Sequence, residues 1–249
     1  MTRVAAGRAA DESPVVDPVL RRLPGAAWRS LPALAVLGVA VVAAYVGAGW
    51  LLGPSSPLAW VAVGIVAAPA VAWAVDRMQG ELFELDDRRP GVGRRLVVVW
   101  TCTLAPCLLA AWSSFVAAIA DSSGSPYFQV LAVAGTVLVV VVALVAVVAI
   151  PVGTMRGDVR VRTIVVMSFL ATIRRPLGPL AAIVVTVAVV WLGLTWFTGL
   201  LALAAPVFAV LAVAAAWPTV TAFGVALPSL TPQRRSTVVP VTPATQGEA

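Results

Sequence analysis

A single apolar run sets the class of this protein. Phe128 to Val152 reads FQVLAVAGTVLVVVVALVAVVAIPV, twenty-five positions without a charged side chain. A helix needs about 20 apolar residues to cross the hydrocarbon core of a bilayer, so this run is long enough for one crossing. A helix is favoured over a barrel strand because the apolar residues are continuous rather than alternating, and because lipid offers no partner to an unpaired backbone group.

The same pattern recurs along the chain. Three long gaps separate the charged residues, and Asp121 is the single charge inside any of them. The gaps are residues 30–75, 96–155 and 176–233. Each gap is long enough for two spans, and turn-forming Gly, Ser and Pro residues divide the first two. We therefore predict an all-α, polytopic integral membrane bundle of about six transmembrane helices. The predicted spans are residues 31–52, 58–75, 96–120, 128–152, 177–196 and 200–227.

The composition argues against most soluble functions. Of 249 residues, 61% are hydrophobic without counting glycine, against roughly 45–50% in ordinary globular domains with glycine included. All 17 basic residues are arginine, and the chain contains neither lysine nor histidine. It therefore has no Walker lysine, no Schiff-base lysine, no histidine for acid–base chemistry and no imidazole metal ligand. We predict no enzymatic activity, no cofactor and no bound metal.

The positions of the arginines predict the orientation. All 17 lie in four segments, residues 3–29, 77–95, 156–175 and 234–235, which a six-span arrangement places on one side of the membrane. The positive-inside rule then places both termini in the cytoplasm. The expected location is the plasma membrane, with anionic lipid headgroups as partners on the cytoplasmic side. Since the basic residues lie in short runs between apolar segments, no nucleic-acid partner is expected.

Two terminal segments flank the predicted membrane domain of residues 28–228. Charged residues and three prolines interrupt the N-terminal arm, residues 1–27, which we predict to be cytoplasmic and largely disordered. The polar tail, residues 229–249, is rich in proline and threonine, and the same prediction applies to it.

The first candidate surface follows the second predicted span. Asp76 to Leu85 reads DRMQGELFEL and mixes both signs of charge with apolar residues, among them Arg77, Gly80 and Glu81. Two interpretations stay open for this segment. It packs as a short helix against inner headgroups or a partner protein, or it is a solvated connection.

The second candidate surface is a predicted interfacial helix over residues 160–175. One helical side carries apolar residues and another carries Ser168 and Thr172. The apolar side consists of Val161, Ile164, Val165, Phe169 and Ile173. The flanking residues are Arg160, Arg162, Arg174, Arg175 and Pro176. The pattern fits a helix that lies in the membrane interface and then turns into the fifth span. It serves either as a membrane-surface anchor or as a docking surface for a cytoplasmic protein.

Two segments resemble a known family. The matching positions of the first are Gly64-Ile65-Val66, Pro69-Ala70, Ala72, Arg77 and Gly80-Glu81. Those of the second are Arg162-Thr163-Ile164, Ser168, Ala171 and Arg174-Arg175-Pro176-Leu177. They are similar to the second apolar stretch, and to the short helix before the last spans, of the YesL-like membrane proteins. The resemblance covers about residues 28–230. It implies no catalytic residues, and it implies an accessory role in carbohydrate uptake.

These observations favour a non-catalytic membrane protein that acts through partners. Ionisable residues inside a membrane usually mark ion paths or substrate sites, and the cores of the predicted spans contain none. We therefore expect an accessory or scaffold subunit of a transport system, with transporter subunits as partners. The alternative is the pore-forming permease subunit of an ATP-driven importer, although residues 160–175 lack the Glu-Ala-Ala signature of such coupling helices.

Overall fold

The structure is a computed structural model that describes residues 18–53, 56–83, 92–156 and 159–221. Within these ranges every regular element is helical. The α-helices are α1 (Pro18–Arg29), α2 (Leu31–Leu52), α3 (Leu58–Phe83), α4 (Val92–Ser123), α5 (Pro126–Met155), α6 (Val161–Arg174), α7 (Leu177–Thr195) and α8 (Leu201–Thr221), and a 3₁₀ turn (Thr198–Leu200) precedes α8.

Six of these helices are long and apolar enough to cross a bilayer. They are α2, α3, α4, α5, α7 and α8. The prediction of an all-α, multi-pass membrane bundle with six spans is therefore confirmed. The last predicted span, residues 200–227, is described as α8 up to Thr221, and its final six residues lie outside the described ranges.

Two helices differ from the predictions. Helix α3 continues eight residues past the predicted end of its span, because Met78, Leu82 and Phe83 are buried in the bundle. Neither a separate short helix nor a solvated connection therefore describes residues 76–83. Helix α1 was not predicted and occupies part of the arm expected to be largely disordered. The described residues of that arm are helical because α1 is amphipathic and packs its apolar side on α3 and α8.

The bundle is a row of antiparallel neighbours that α8 closes on one side. Contacts join α2 to α3, α3 to α4 and α4 to α5, and α8 packs against α2, α3, α5 and α7. Leu37, Val75, Val98, Ile150 and Val213 are members of the main apolar core between these helices. Dispersion contacts in this close-packed core, rather than the hydrophobic effect, hold the helices together within lipid.

The described arginine side chains lie at one end of the bundle, which we call the arginine end. Three contacts between helices define this end: Asp76 of α3 pairs with Arg95 of α4, Gln79 of α3 bonds to α5, and Phe83 of α3 contacts Trp217 of α8. Helices α1 and α6 also pack there. The structure thus agrees with the one-sided placement of arginine, and the cytoplasmic assignment of that side stays a prediction.

The α7–α8 hairpin stops short of α2 at the opposite end. Gly38 of α2 faces the carbonyl oxygen of Ala202 so closely that a Cβ atom would clash with it. Helix α2 continues for fourteen residues beyond Gly38, about 21 Å, whereas α8 begins one residue before Ala202. The turn between α7 and α8, with exposed Trp196 and Phe197, therefore lies deeper than the turn after α2.

Candidate functional site at the arginine end

The charged residues at the end of α3 form ion pairs with arginines on three helices. Glu81 lies 3.3 Å from Arg77, one turn away on the same helix, and 3.8 Å from Arg29 of α1. Asp76 lies 3.6 Å from Arg95, whose side chain is mostly buried. The Arg29 and Arg77 side chains are largely exposed, and ion pairs at such exposed positions contribute about 0–1 kcal/mol each. Their effect is to neutralise both carboxylates and to let α3 continue as a helix past the span.

A buried polar cluster joins α3 to α5 one turn from these charges. The Nε2 group of Gln79 donates to the carbonyl oxygen of Pro151 at 2.9 Å, and Oγ1 of Thr154 donates to Oε1 of Gln79 at 2.7 Å. Thr154 Oγ1 also lies 2.9 Å from the Pro151 carbonyl oxygen. Both Gln79 and Thr154 are buried. The cluster satisfies these polar groups inside an apolar core, where an unpaired group is costly.

Sequence reasoning missed this cluster. Gln79 lies within the first predicted surface, residues 76–85, and Thr154 lies two residues beyond the predicted span 128–152. No local signal marks the cluster, because the partners of Gln79 are 72 and 75 residues away along the chain.

The residues of the first predicted surface do not act as one exposed patch. Arg77 is exposed, whereas Gly80 and Glu81 are only partly accessible. The intervening Gln79 faces the core. At this end α3 therefore carries carboxylates that are paired with arginines. Residues 84–85 of the predicted surface lie outside the described ranges.

Helix α6 lies within the segment predicted as an interfacial helix, residues 160–175, but its buried side differs from the predicted one. Its position in the membrane interface stays a prediction. Ser168 and Ile164 are buried against α5 and α8, so Ser168 does not belong to an accessible surface. Thr172 is also buried and donates from Oγ1 to the Ser168 carbonyl oxygen at 2.8 Å, which satisfies its hydroxyl within the helix. The opposite side exposes Phe169 and Ile173, at 43% and 59% of their surface.

Arginines flank the exposed apolar side of α6 at both ends. Arg160 and Arg162 precede or begin the helix, Arg174 and Arg175 close it, and all four are exposed, as is Pro176. On the inner side, a cavity of about 260 Å³ separates α6 from the ends of α5 and α8. Its lining is mostly apolar, with Arg156 and Thr163 among its few polar residues.

The arginine end combines paired charges with one exposed apolar strip. The described residues contain no group of three histidine, cysteine or carboxylate residues placed to hold a metal ion. Paired charges and buried hydroxyls stabilise the bundle, while α6 presents an accessible apolar strip between arginines. That strip is the part of the arginine end suited to contact another molecule.

Comparisons with known proteins returned no relatives. No family model matches the chain, and no curated protein or solved structure is similar to it. The resemblance to YesL-like proteins therefore stays an expectation drawn from short motifs.

Proposed function

We propose that this protein is a non-catalytic accessory or scaffold subunit that binds a partner of a transport system through α6. The observation that carries the proposal is the two-sided character of this helix. Ile164, Ser168 and Ala171 hold one side against the bundle, and Phe169 and Ile173 stay exposed on the other. Because packing already fixes this helix, binding through its outer side carries little further cost in conformational entropy.

The composition of the exposed side supports docking. Aromatic residues and arginine are enriched in protein interfaces, and buried aromatic anchors contribute much of the binding energy. Phe169 would be such an anchor, with Arg162 in the first turn of α6 and Arg174 in its last. The competing interpretation is that α6 rests in the headgroup region as a membrane anchor, which the same amphipathic pattern would allow.

The partner's class rests on the family resemblance. The similarity of residues 162–177 to the YesL-like segment supports a partner from a carbohydrate-uptake system. The absence of ionisable residues from the predicted span cores supports an accessory role rather than coupled transport by this chain alone.

A co-purification experiment tests the proposal. The full chain is isolated in mild detergent from native membranes, and co-eluting proteins are identified by mass spectrometry. With the double variant Phe169→Ala/Ile173→Ala, the amount of transporter component that co-purifies should fall at least tenfold. Truncating an interface anchor costs about 2 kcal/mol or more of binding free energy. Phe115→Ala is the matched control, because Phe115 is exposed on α4 and far from α6 along the chain. Recovery of no transporter component, together with unchanged sugar uptake in a deletion strain, would refute the proposal.

One observation favours the permease alternative. Helix α6 connects two spans at the arginine end, which we predict to be cytoplasmic, and a coupling helix contacts its ATPase on the cytoplasmic side. A cysteine at exposed position 170 (Leu170→Cys), in a background without Cys102 and Cys107, distinguishes the two functions. Crosslinking to an ATPase, together with ATP-driven uptake by the reconstituted pair alone, would favour the permease function over the accessory one.

A further inference from the structure

A lateral groove opens at the arginine end between α1–α2 and α7–α8. It is open along one side and has a volume of about 440 Å³. Trp28, Leu34, Val185 and Val207 are among its walls, and every residue that lines it is apolar or aromatic. The groove is separate from α6, the helix on which the proposed docking function rests.

The chemistry of the walls selects a hydrocarbon occupant. Leu34, Val185 and Val207 belong to three different membrane-spanning helices, so most of the groove runs along the apolar part of the bundle. Water does not fill an apolar space that offers it no hydrogen-bonding partners. An acyl chain satisfies such walls, because it forms dispersion contacts without requiring any donor or acceptor.

One arginine of α1 lies on the side of that helix that lines the groove. Helix α1 contains three arginines, of which Arg29 is paired with Glu81 of α3. Arg21 precedes the groove-lining residues Pro24 and Trp28 by three and seven positions, which puts it on the same side of α1. Arg21 is exposed. Basic residues beside a pocket between membrane helices are complementary to anionic lipid headgroups.

We propose that this groove is a binding site for one anionic phospholipid. The acyl chain lies between α2, α7 and α8, and Arg21 binds the phosphate-bearing headgroup at the mouth. The groove thus supplies the shape for the chain, and α1 supplies the charge that discriminates between headgroups.

Native mass spectrometry of the delipidated full chain tests the proposal. The protein is titrated with phosphatidylglycerol and, separately, with phosphatidylcholine of the same acyl chains. We expect one phosphatidylglycerol to bind more tightly than any phosphatidylcholine. Arg21→Gln should weaken that binding about fivefold, which corresponds to about 1 kcal/mol per basic residue near an anionic surface. Arg162→Gln, on α6, should leave it unchanged.

A second pair of variants tests whether the lipid binds in this groove. Val185→Trp puts a large side chain into the groove and should abolish the tight site. Val184→Trp is the matched control, because Val184 is the neighbouring residue, has similar exposure and does not line the groove. Equal affinity for both lipids would overturn the role of Arg21. Equal effects of the two tryptophan substitutions, or none from either, would overturn the assignment to this groove.

Discussion

Replacing Gln79 with methionine should destabilise the bundle by about 1–2 kcal/mol. The substitution nearly conserves volume but removes two hydrogen bonds between α3 and α5, those to the Pro151 carbonyl oxygen and from Thr154 Oγ1. Such bonds between membrane helices contribute about 0.6 kcal/mol on average and up to about 1.7 kcal/mol. The Thr154 hydroxyl keeps the Pro151 carbonyl oxygen as its acceptor, which limits the loss.

The free energy of unfolding in mixed micelles measures this effect. Gln129→Met is the control, since Gln129 is exposed on α5, and it should change stability by less than about 0.5 kcal/mol. Thr154→Val removes one of the two interhelical bonds and leaves the buried Gln79 Oε1 without its donor, so it should also destabilise the bundle, by about 1–3 kcal/mol. Combined with Gln79→Met, it should add less than it costs alone, because the two residues share a bond. A Gln79→Met protein as stable as the wild type, or strict additivity of the two substitutions, would refute the reasoning.

Two further predictions concern packing and topology. Gly38→Val should destabilise the bundle by about 1–3 kcal/mol through overpacking against Ala202. Gly47→Val, where an added Cβ meets nothing within 4 Å, should not, and equal melting temperatures for the two variants would contradict the predicted contact. A reporter fused after Gln246 should be cytoplasmic and one inserted after Ser123 external; the reverse pair would overturn the predicted orientation.

The spans were predictable because hydropathy and charge act over whole segments. Helix α2 begins and ends at the predicted residues 31 and 52, since an arginine precedes it and a run of turn-forming residues follows it. The end of α3 was not predictable in this way. Asp76 and Glu81 have the local character of a connection, and the arginines that neutralise them lie on α1, α3 and α4.

The polar cluster and α1 depend on tertiary context. The hydrogen-bond partners of Gln79 are 72 and 75 residues away along the chain, so no local pattern marks it. Helix α1 contains Pro24 in its interior, which argues against a helix locally. Burial of Val19 and Leu23 against the bundle outweighs that preference. The exposed side of α6 likewise depends on its packing against α5 and α8, which its own sequence does not reveal.

The shortened α7–α8 hairpin has a consequence for the surrounding lipid. Its turn exposes Trp196 and Phe197 at a depth that α2 passes by several turns. Tryptophan side chains favour the headgroup level, and a bilayer accommodates a short hydrophobic segment by thinning locally. Lipids on this flank should therefore be compressed relative to those beside α2. Short-chain lipids should collect around the hairpin, and the protein should partition into the thinner regions of its membrane.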